Sequence, residues 1–336
     1  MKVAVIGAGS WGSALARLVA VNGNDVCLWS IDAKEIEILN TYREQTEKLP
    51  GVKLPENVTF TNDLAKAVES AEICIMAPPS PFIRETSKKL ASLVKEGTII
   101  VNVAKGIESG TLLTMSQIIE EEIPSANVAV LSGPSHAEEV GKDVPTLVVV
   151  SAKKQSTAEK VRSIFMNDNF RVYLNPDTLG VELGAALKNV IALAAGVADG
   201  LGCGDNTKAA LITRGIAEMK RLGEKMGAKT ETFSGLSGTG DLIVTCSSMH
   251  SRNRRAGILM GQGKTMEEAC AEVKMVVEGV HSAKAAMELA NKYEVNVPLI
   301  EEMYHLLFEN KPAKECLSSL MTRDKNVEYY GMEWSR

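Results

Sequence analysis

The first half of the chain alternates short apolar runs with amphipathic stretches. The runs "KVAVIG", "DVCLWS", "EICIMA", "TIIVNV", "VAVLSG" and "TLVVVS" are rich in Val and Ile and are cut off by Gly, Pro or polar residues. They are near-continuously apolar rather than strictly alternating. That pattern predicts strands buried on both faces of a parallel sheet, linked by helices. From about Asn175 the pattern changes. "NPDTLGVELGAALKNV" offers Asn-Pro-Asp as a helix start, and helical periodicity then runs on with very little strand signal. The expected architecture is an α/β domain over residues 1–175 with a mainly parallel sheet, followed by an all-α domain over residues 176–336. The last dozen residues read as a polar tail.

Length supports this division, because 336 residues exceed the usual range for one compact core. A net charge of −5 argues against a general nucleic-acid binder, while leaving room for a local basic pocket. The six cysteines are scattered without a C-x-x-C pair, so neither a metal site nor a disulfide framework is expected, and a reducing cytoplasmic setting is. "MKVAVIGAGSWG" runs directly into a fold signal, which reads as no cleavable leader. No uninterrupted apolar run approaches the roughly 20 residues that span a bilayer, so membrane insertion is not expected.

Candidate chemistry begins at Gly7, Gly9 and Gly12, a G-x-G-x-x-G spacing between the first strand and a helix. Gly7 makes the tight turn, Gly9 lets backbone approach a pyrophosphate, and Gly12 lets helix pack on strand. The helix N-terminus then turns unpaired N–H groups towards the phosphates. This context predicts a Rossmann-type dinucleotide site. An NAD site usually ends its second strand in Asp or Glu, which binds the ribose 2′-OH. Here Ser30 holds that position, with Asp32 two residues on and no arginine beside it, which leaves NADH and NADPH both open. Asp32 reads equally well as an ordinary loop residue.

Further along, "VELGAALKNVIALAAGVADG" sets Lys188 and Asn189 in an almost wholly apolar helix. A buried ammonium needs partners. Read alone, such a lysine more often buries its stem and snorkels to water. Its neighbours at three and four residues are Gly184, Ala185, Ile191 and Ala192. The small ones are expected to leave room for a substrate, and the apolar ones to lower the lysine pKa. "SRNRR" offers Ser251 as a helix cap before Arg252 and Asn253, a helix start suited to a phosphate.

Together "GAGSWG", "NVAKGIESGT", "LSGPSHAEEV", "VELGAALKNVIALAAGVADGLGCGDNTKAALITRG", "GLSGTGDLIVTCSSMHSRNRR" and "VVEGV" make the chain resemble bacterial NAD(P)-dependent glycerol-3-phosphate dehydrogenase. The resemblance covers essentially the whole length. It implies a helical domain like that of 6-phosphogluconate dehydrogenase, and NADH or NADPH as cofactor. The implied reaction reduces dihydroxyacetone phosphate to sn-glycerol 3-phosphate for phospholipid synthesis, in a cytoplasmic homodimer. It implies Lys188 as the proton donor or acceptor, with Lys105 and Asp241 completing the catalytic set. Gly133, Ser135, Asn189, Thr245, Ser251, Arg252 and Asn253 join Lys105, Lys188 and Asp241 around the substrate. Gly7, Gly9, Ser10, Trp11, Gly12, Lys105, Ala137, Arg252, Val276 and Glu278 are implied at the cofactor. By itself Glu278 reads as an acid at a helix start.

Two departures stand out. Family members often carry Phe where this chain has His136, which reads as a packing or surface variant. They often carry His or Arg beside the adenosine ribose where this chain has Ile31. Two other readings are weighed: a related dehydrogenase acting on a hydroxy acid such as hydroxyisobutyrate or ketopantoate, and a nucleotide-sensing protein without catalysis. The anion site at Arg252 and Asn253 beside Asp241 argues against the first, and intact Lys105, Lys188 and Asp241 against the second.

Overall fold

In a computed structural model, which describes residues 1–324 and Glu328, an eight-stranded sheet occupies the N-terminal domain. Its strands are β1 (Lys2–Ile6), β2 (Asp25–Trp29), β3 (Val58–Thr61), β4 (Ile73–Met76), β5 (Ile99–Asn102), β6 (Asn127–Ser132), β7 (Thr146–Ala152) and β8 (Phe170–Asn175). The spatial order is β3-β2-β1-β4-β5-β6-β7-β8, parallel throughout except between β6 and β7. All six apolar runs form strands. The two strands that the pattern misses, β3 and β8, lie at the sheet edges. Edge strands bury less, and in β8 exposed Arg171 and Tyr173 alternate with buried Phe170 and Val172, so no continuous apolar run marks it.

The central strands are buried on both faces because each alternate set of side chains has its own core. Val3 and Val5 join one apolar cluster, Ala4 and Ile6 the other. Ligands of such sheets gather at the carboxyl ends of the strands, where the order reverses.

Beyond β8 the described chain is helical, around a 23-residue core helix, Thr178–Gly200. Asp177 caps it by accepting from Gly180 N at 2.9 Å, so Asn-Pro-Asp is indeed the start signal. The same carboxylate accepts from Lys229 N and Thr232 Oγ1, pinning that start to the following segment. By length and apolarity this helix matches a bilayer span, yet every residue of its most apolar stretch is buried in the protein. It crosses the helix Arg252–Gly261 at very short range. A Cβ on Gly196 would lie 2.2 Å from Arg254 O, and one on Gly257 2.2 Å from Leu193 O. Small residues along this helix therefore serve backbone contact, and that contact sets the start of the Arg252–Gly261 helix against the middle of the core helix. The expected polar tail lies almost wholly outside the described residues.

Candidate active site

A cleft of about 610 Å³ runs from the Gly7–Gly9 turn to the middle of the core helix. At one end Gly7, with φ of 113°, turns the chain out of β1 and donates from its N–H to Trp29 O at 2.9 Å. A Cβ on Gly12 would fall 1.8 Å from Gly7 O, so glycine is required for the helix Ser10–Val21 to begin so close to the strand. A Cβ on Gly9 would meet nothing within 4 Å. The missing side chain there opens onto the cleft, a cradle with room for a diphosphate above the helix N-terminus, so these residues fit a dinucleotide.

At the ribose edge the structure adds residues that the motif does not name. Ser30 is buried and donates from Oγ to Glu35 Oε2 at 2.5 Å, while Glu35 Oε1 pairs with Lys48. Lys48 thus supplies the cation missing beside Ser30, from an irregular stretch that carries no periodic signal. Asp32 is a helix cap, accepting from Lys34 N at 2.9 Å, and Ile31 is 75% exposed.

At the cleft floor Lys188 turns inward. Its Nζ donates to Asp241 Oδ1 at 2.8 Å and to Thr245 Oγ1 at 2.7 Å. Lys105, just beyond β5, donates to Asp241 Oδ2 at 2.6 Å and to Gly133 O at 3.1 Å. One buried carboxylate therefore bridges two ammonium groups brought from both domains. Burial pulls the Lys188 ammonium down to about 8, with Asp241 opposing and Lys105 assisting that shift. Burial alone raises the Asp241 carboxyl, but Lys105 and Lys188 outweigh it and hold the group below its ordinary value.

Asp241 is delivered by a single π-helical turn, Leu236–Gly240, which leads into the helix Asp241–Ser247. That turn corrects one expectation. The space beside Gly184 does not receive a substrate: a Cβ there would lie 2.8 Å from Ser237 O, within the π turn itself. The glycine lets the Asp241-bearing segment seat directly on the core helix.

Around this floor, Ser251 Oγ accepts from Arg254 N at 3.2 Å as an N-cap, and Arg252 Nη1 donates to Val276 O at 3.1 Å. Asn253 donates to Asn189 Oδ1 and accepts from Gly279 N, both at 2.9 Å. Arg254 is held by Asp199, outside the cleft lining. Of the residues that the resemblance implies at substrate or cofactor, all except Gly12 and Gly133 line this one cleft, whereas Asp32 and Gly184 do not. Gly12 and Gly133 lie just beneath it, Gly12 against the Gly7 carbonyl and Gly133 with its carbonyl on Lys105. Ser135 donates to Gly133 O at 2.9 Å.

Glu278 begins a helix and lines the cleft, yet its carboxylate accepts from Ser80 N at 3.0 Å and from Ser80 Oγ, a tie between the two domains. His136 is no surface residue. It lines the cleft with its ring 5.8 Å from that of His250, and its buried Nε2 makes no hydrogen bond among the described residues. Burial and Lys188 hold its imidazole below the usual range, hence neutral near pH 7.

Comparison with known proteins bears directly on this arrangement. The N-terminal model of NAD-dependent glycerol-3-phosphate dehydrogenase matches residues 2–158, and the C-terminal model matches residues 177–318. The chain belongs to the NAD-dependent glycerol-3-phosphate dehydrogenase family. It is 61% identical over 333 residues to glycerol-3-phosphate dehydrogenase [NAD(P)+] of Agathobacter rectalis, covering 99% of each chain. It is 51% identical to the protein of the same name from Bacillus subtilis, covering 97% of this chain and 96% of that one. The crystal structure of glycerol-3-phosphate dehydrogenase from Coxiella burnetii superposes with a TM-score of 0.93 at 34% identity, covering 96% of this chain and 99% of that chain. A ketopantoate reductase from Ralstonia eutropha shares the fold at 14% identity. The chain is thus an NAD(P)-dependent oxidoreductase that interconverts dihydroxyacetone phosphate and sn-glycerol 3-phosphate. The hydroxy-acid and non-catalytic readings fall away.

Proposed function

We propose that residues 1–175 hold the dinucleotide and residues 176–336 supply most of the substrate site, with Lys188 moving the proton. When bound, the reduced nicotinamide supplies a hydride to the carbonyl carbon. Lys188, as its ammonium, then gives a proton to the carbonyl oxygen and is left as a neutral amine that recovers its proton from solvent. A pKa of about 8 suits both the donor and the acceptor role. Lys105 adds positive charge where the alkoxide develops, and Asp241 orients both ammonium groups. Ser251, Arg252 and Asn253, at a helix start, receive the phosphate, with Asn189 and Thr245 bordering it. Gly7, Gly9, Ser10, Trp11 and Ala137 face the dinucleotide, Arg252 and Lys105 border both ligands, and Val276 and Glu278 close the nicotinamide end. The enzyme so described serves phospholipid synthesis in the cytoplasm as a homodimer.

The observation that carries the residue roles is the carboxylate of Asp241 bridging Lys105 and Lys188 at the cleft floor. The test is Lys188→Ala, which leaves Asp241 paired with Lys105. Turnover of dihydroxyacetone phosphate, followed by the absorbance of NADH or NADPH, should fall by about a thousandfold while cofactor binding persists. Near-normal turnover would sink the assignment.

A further inference from the structure

Glu182 is a carboxyl side chain that the chemistry above does not use. It sits six residues before Lys188 on the core helix, is 4% exposed, and does not line the cleft. Among the described residues it forms no ion pair, so it lacks the usual compensation for a buried acid. Instead it reaches into the sheet domain. Oε1 accepts from Ser116 N at 2.8 Å and from Asn102 Nδ2 at 3.3 Å, and Oε2 accepts from Ser116 Oγ at 2.5 Å.

Asn102 ends β5, and its side chain folds back on the next residues. Nδ2 donates to Ala104 O and Oδ1 accepts from Ala104 N, both at 3.0 Å. Lys105 follows immediately and reaches Asp241 from that turn. A second tie comes from the far side of Lys188, where Asn189 Nδ2 donates to Lys105 O at 3.5 Å. The helix that carries one ammonium therefore grips the loop that carries the other on both sides.

We propose that Glu182 is a positioning residue, which holds the Lys105 loop against the core helix through Asn102 so that Lys105 and Lys188 meet on one carboxylate. The proposal rests on the reading of Lys188 as the proton-transferring group. Lys105 depresses the Lys188 ammonium, so loosening its loop raises the pH at which Lys188 titrates. The other groups facing Lys188 are Asp241, Thr245 and Cys246 from the helix Asp241–Ser247, and His136 from the turn after β6. None of them is touched by Glu182.

The test uses the full-length enzyme, with initial rates against pH in both directions. Glu182→Ala should lower kcat about tenfold, a modest misplacement effect, and move the Lys188 limb to higher pH. Asn102→Ala, which keeps the contact between Glu182 and Ser116, should move the limb the same way. Glu182→Gln keeps an acceptor for Ser116 N and Asn102, and its amide can donate to Ser116 Oγ, so kcat should stay within about twofold of wild type. A lowered melting temperature with kcat and limb unchanged, in both Glu182→Ala and Asn102→Ala, would overturn the proposal. So would a Glu182→Gln defect as large as that of Glu182→Ala. A wild-type profile with no limb near 8 in either direction would instead overturn the reading of Lys188 as the proton-transferring group.

Discussion

Replacing Asp241 with Asn gives the most direct test of the charge arrangement. The amide keeps the volume and the contact with Thr245 but removes the one anion between two ammonium groups. Those groups lie 2.6 and 2.8 Å from its oxygens, in a site where Asp241 is 2% exposed. A hydrogen bond to a charged partner contributes about 1.5–3 kcal/mol, or roughly one to two pKa units for Lys188. Lys105 then repels Lys188 without opposition, in the same direction. The Lys188 limb should fall from about 8 to roughly 6–7.

The sign differs between the two directions of reaction. Reduction needs the ammonium, so its rate falls as pH rises through the limb. Oxidation needs the amine, so its rate rises there. In Asp241→Asn, reduction should fade at lower pH than in wild type and oxidation should switch on earlier. The assay is initial velocity from about pH 5 to pH 10 with saturating cofactor, a window that brackets the shifted and unshifted limbs. A limb that stays near its wild-type position or moves upward in the variant would refute the electrostatic argument.

Four other outcomes are expected. Gly12→Ala forces a Cβ to within 1.8 Å of Gly7 O and should cost about 3 kcal/mol or more in denaturant unfolding. Gly9→Ala meets no protein atom within 4 Å, so it should melt like wild type while weakening NADH affinity at least about tenfold by titration. Glu218, buried where it accepts from Leu299 N and Ile300 N, has its carboxyl pushed by burial up to about 7 from 4.5. Its folded state holds the proton more tightly, so its stabilising contribution is full below 4.5 and is lost as pH rises through about 7. Unfolding free energies should show roughly 3 kcal/mol of that dependence disappearing in Glu218→Gln. Lys48→Ala removes the cation beside Ser30 and should lower kcat/KM for NADPH about fivefold, with NADH within about twofold.

Much of the fold is legible in local pattern. The six central strands announce themselves because burial on both faces demands continuous Val and Ile. Asp177 announces the core helix because a cap is decided by its immediate neighbours. The Gly7–Gly12 turn is equally local, and so is Ser251 as the cap of the Arg252–Gly261 helix. Edge strands β3 and β8 escape detection because half of each faces outward.

The sequence also brings Lys105, Lys188 and Asp241 to notice, through long motifs, but not their relation to one another. That one carboxylate joins both lysines depends on packing segments 136 and 53 residues apart. Gly184 gives no local sign of its role for the same reason: its neighbour is a π turn from another part of the chain, not a ligand. Lys48 beside Ser30, and Glu182 on Asn102 and Ser116, have no local signature at all. By itself the sequence determined the buried strands, the core helix with its cap, and the glycine turn, because spacing and neighbouring side chains settle those over a few residues. Only the tertiary structure decided which charges face each other, because burial, the close crossing of helices in the helical domain and the packing of the loop after β5 across the domain boundary set those distances.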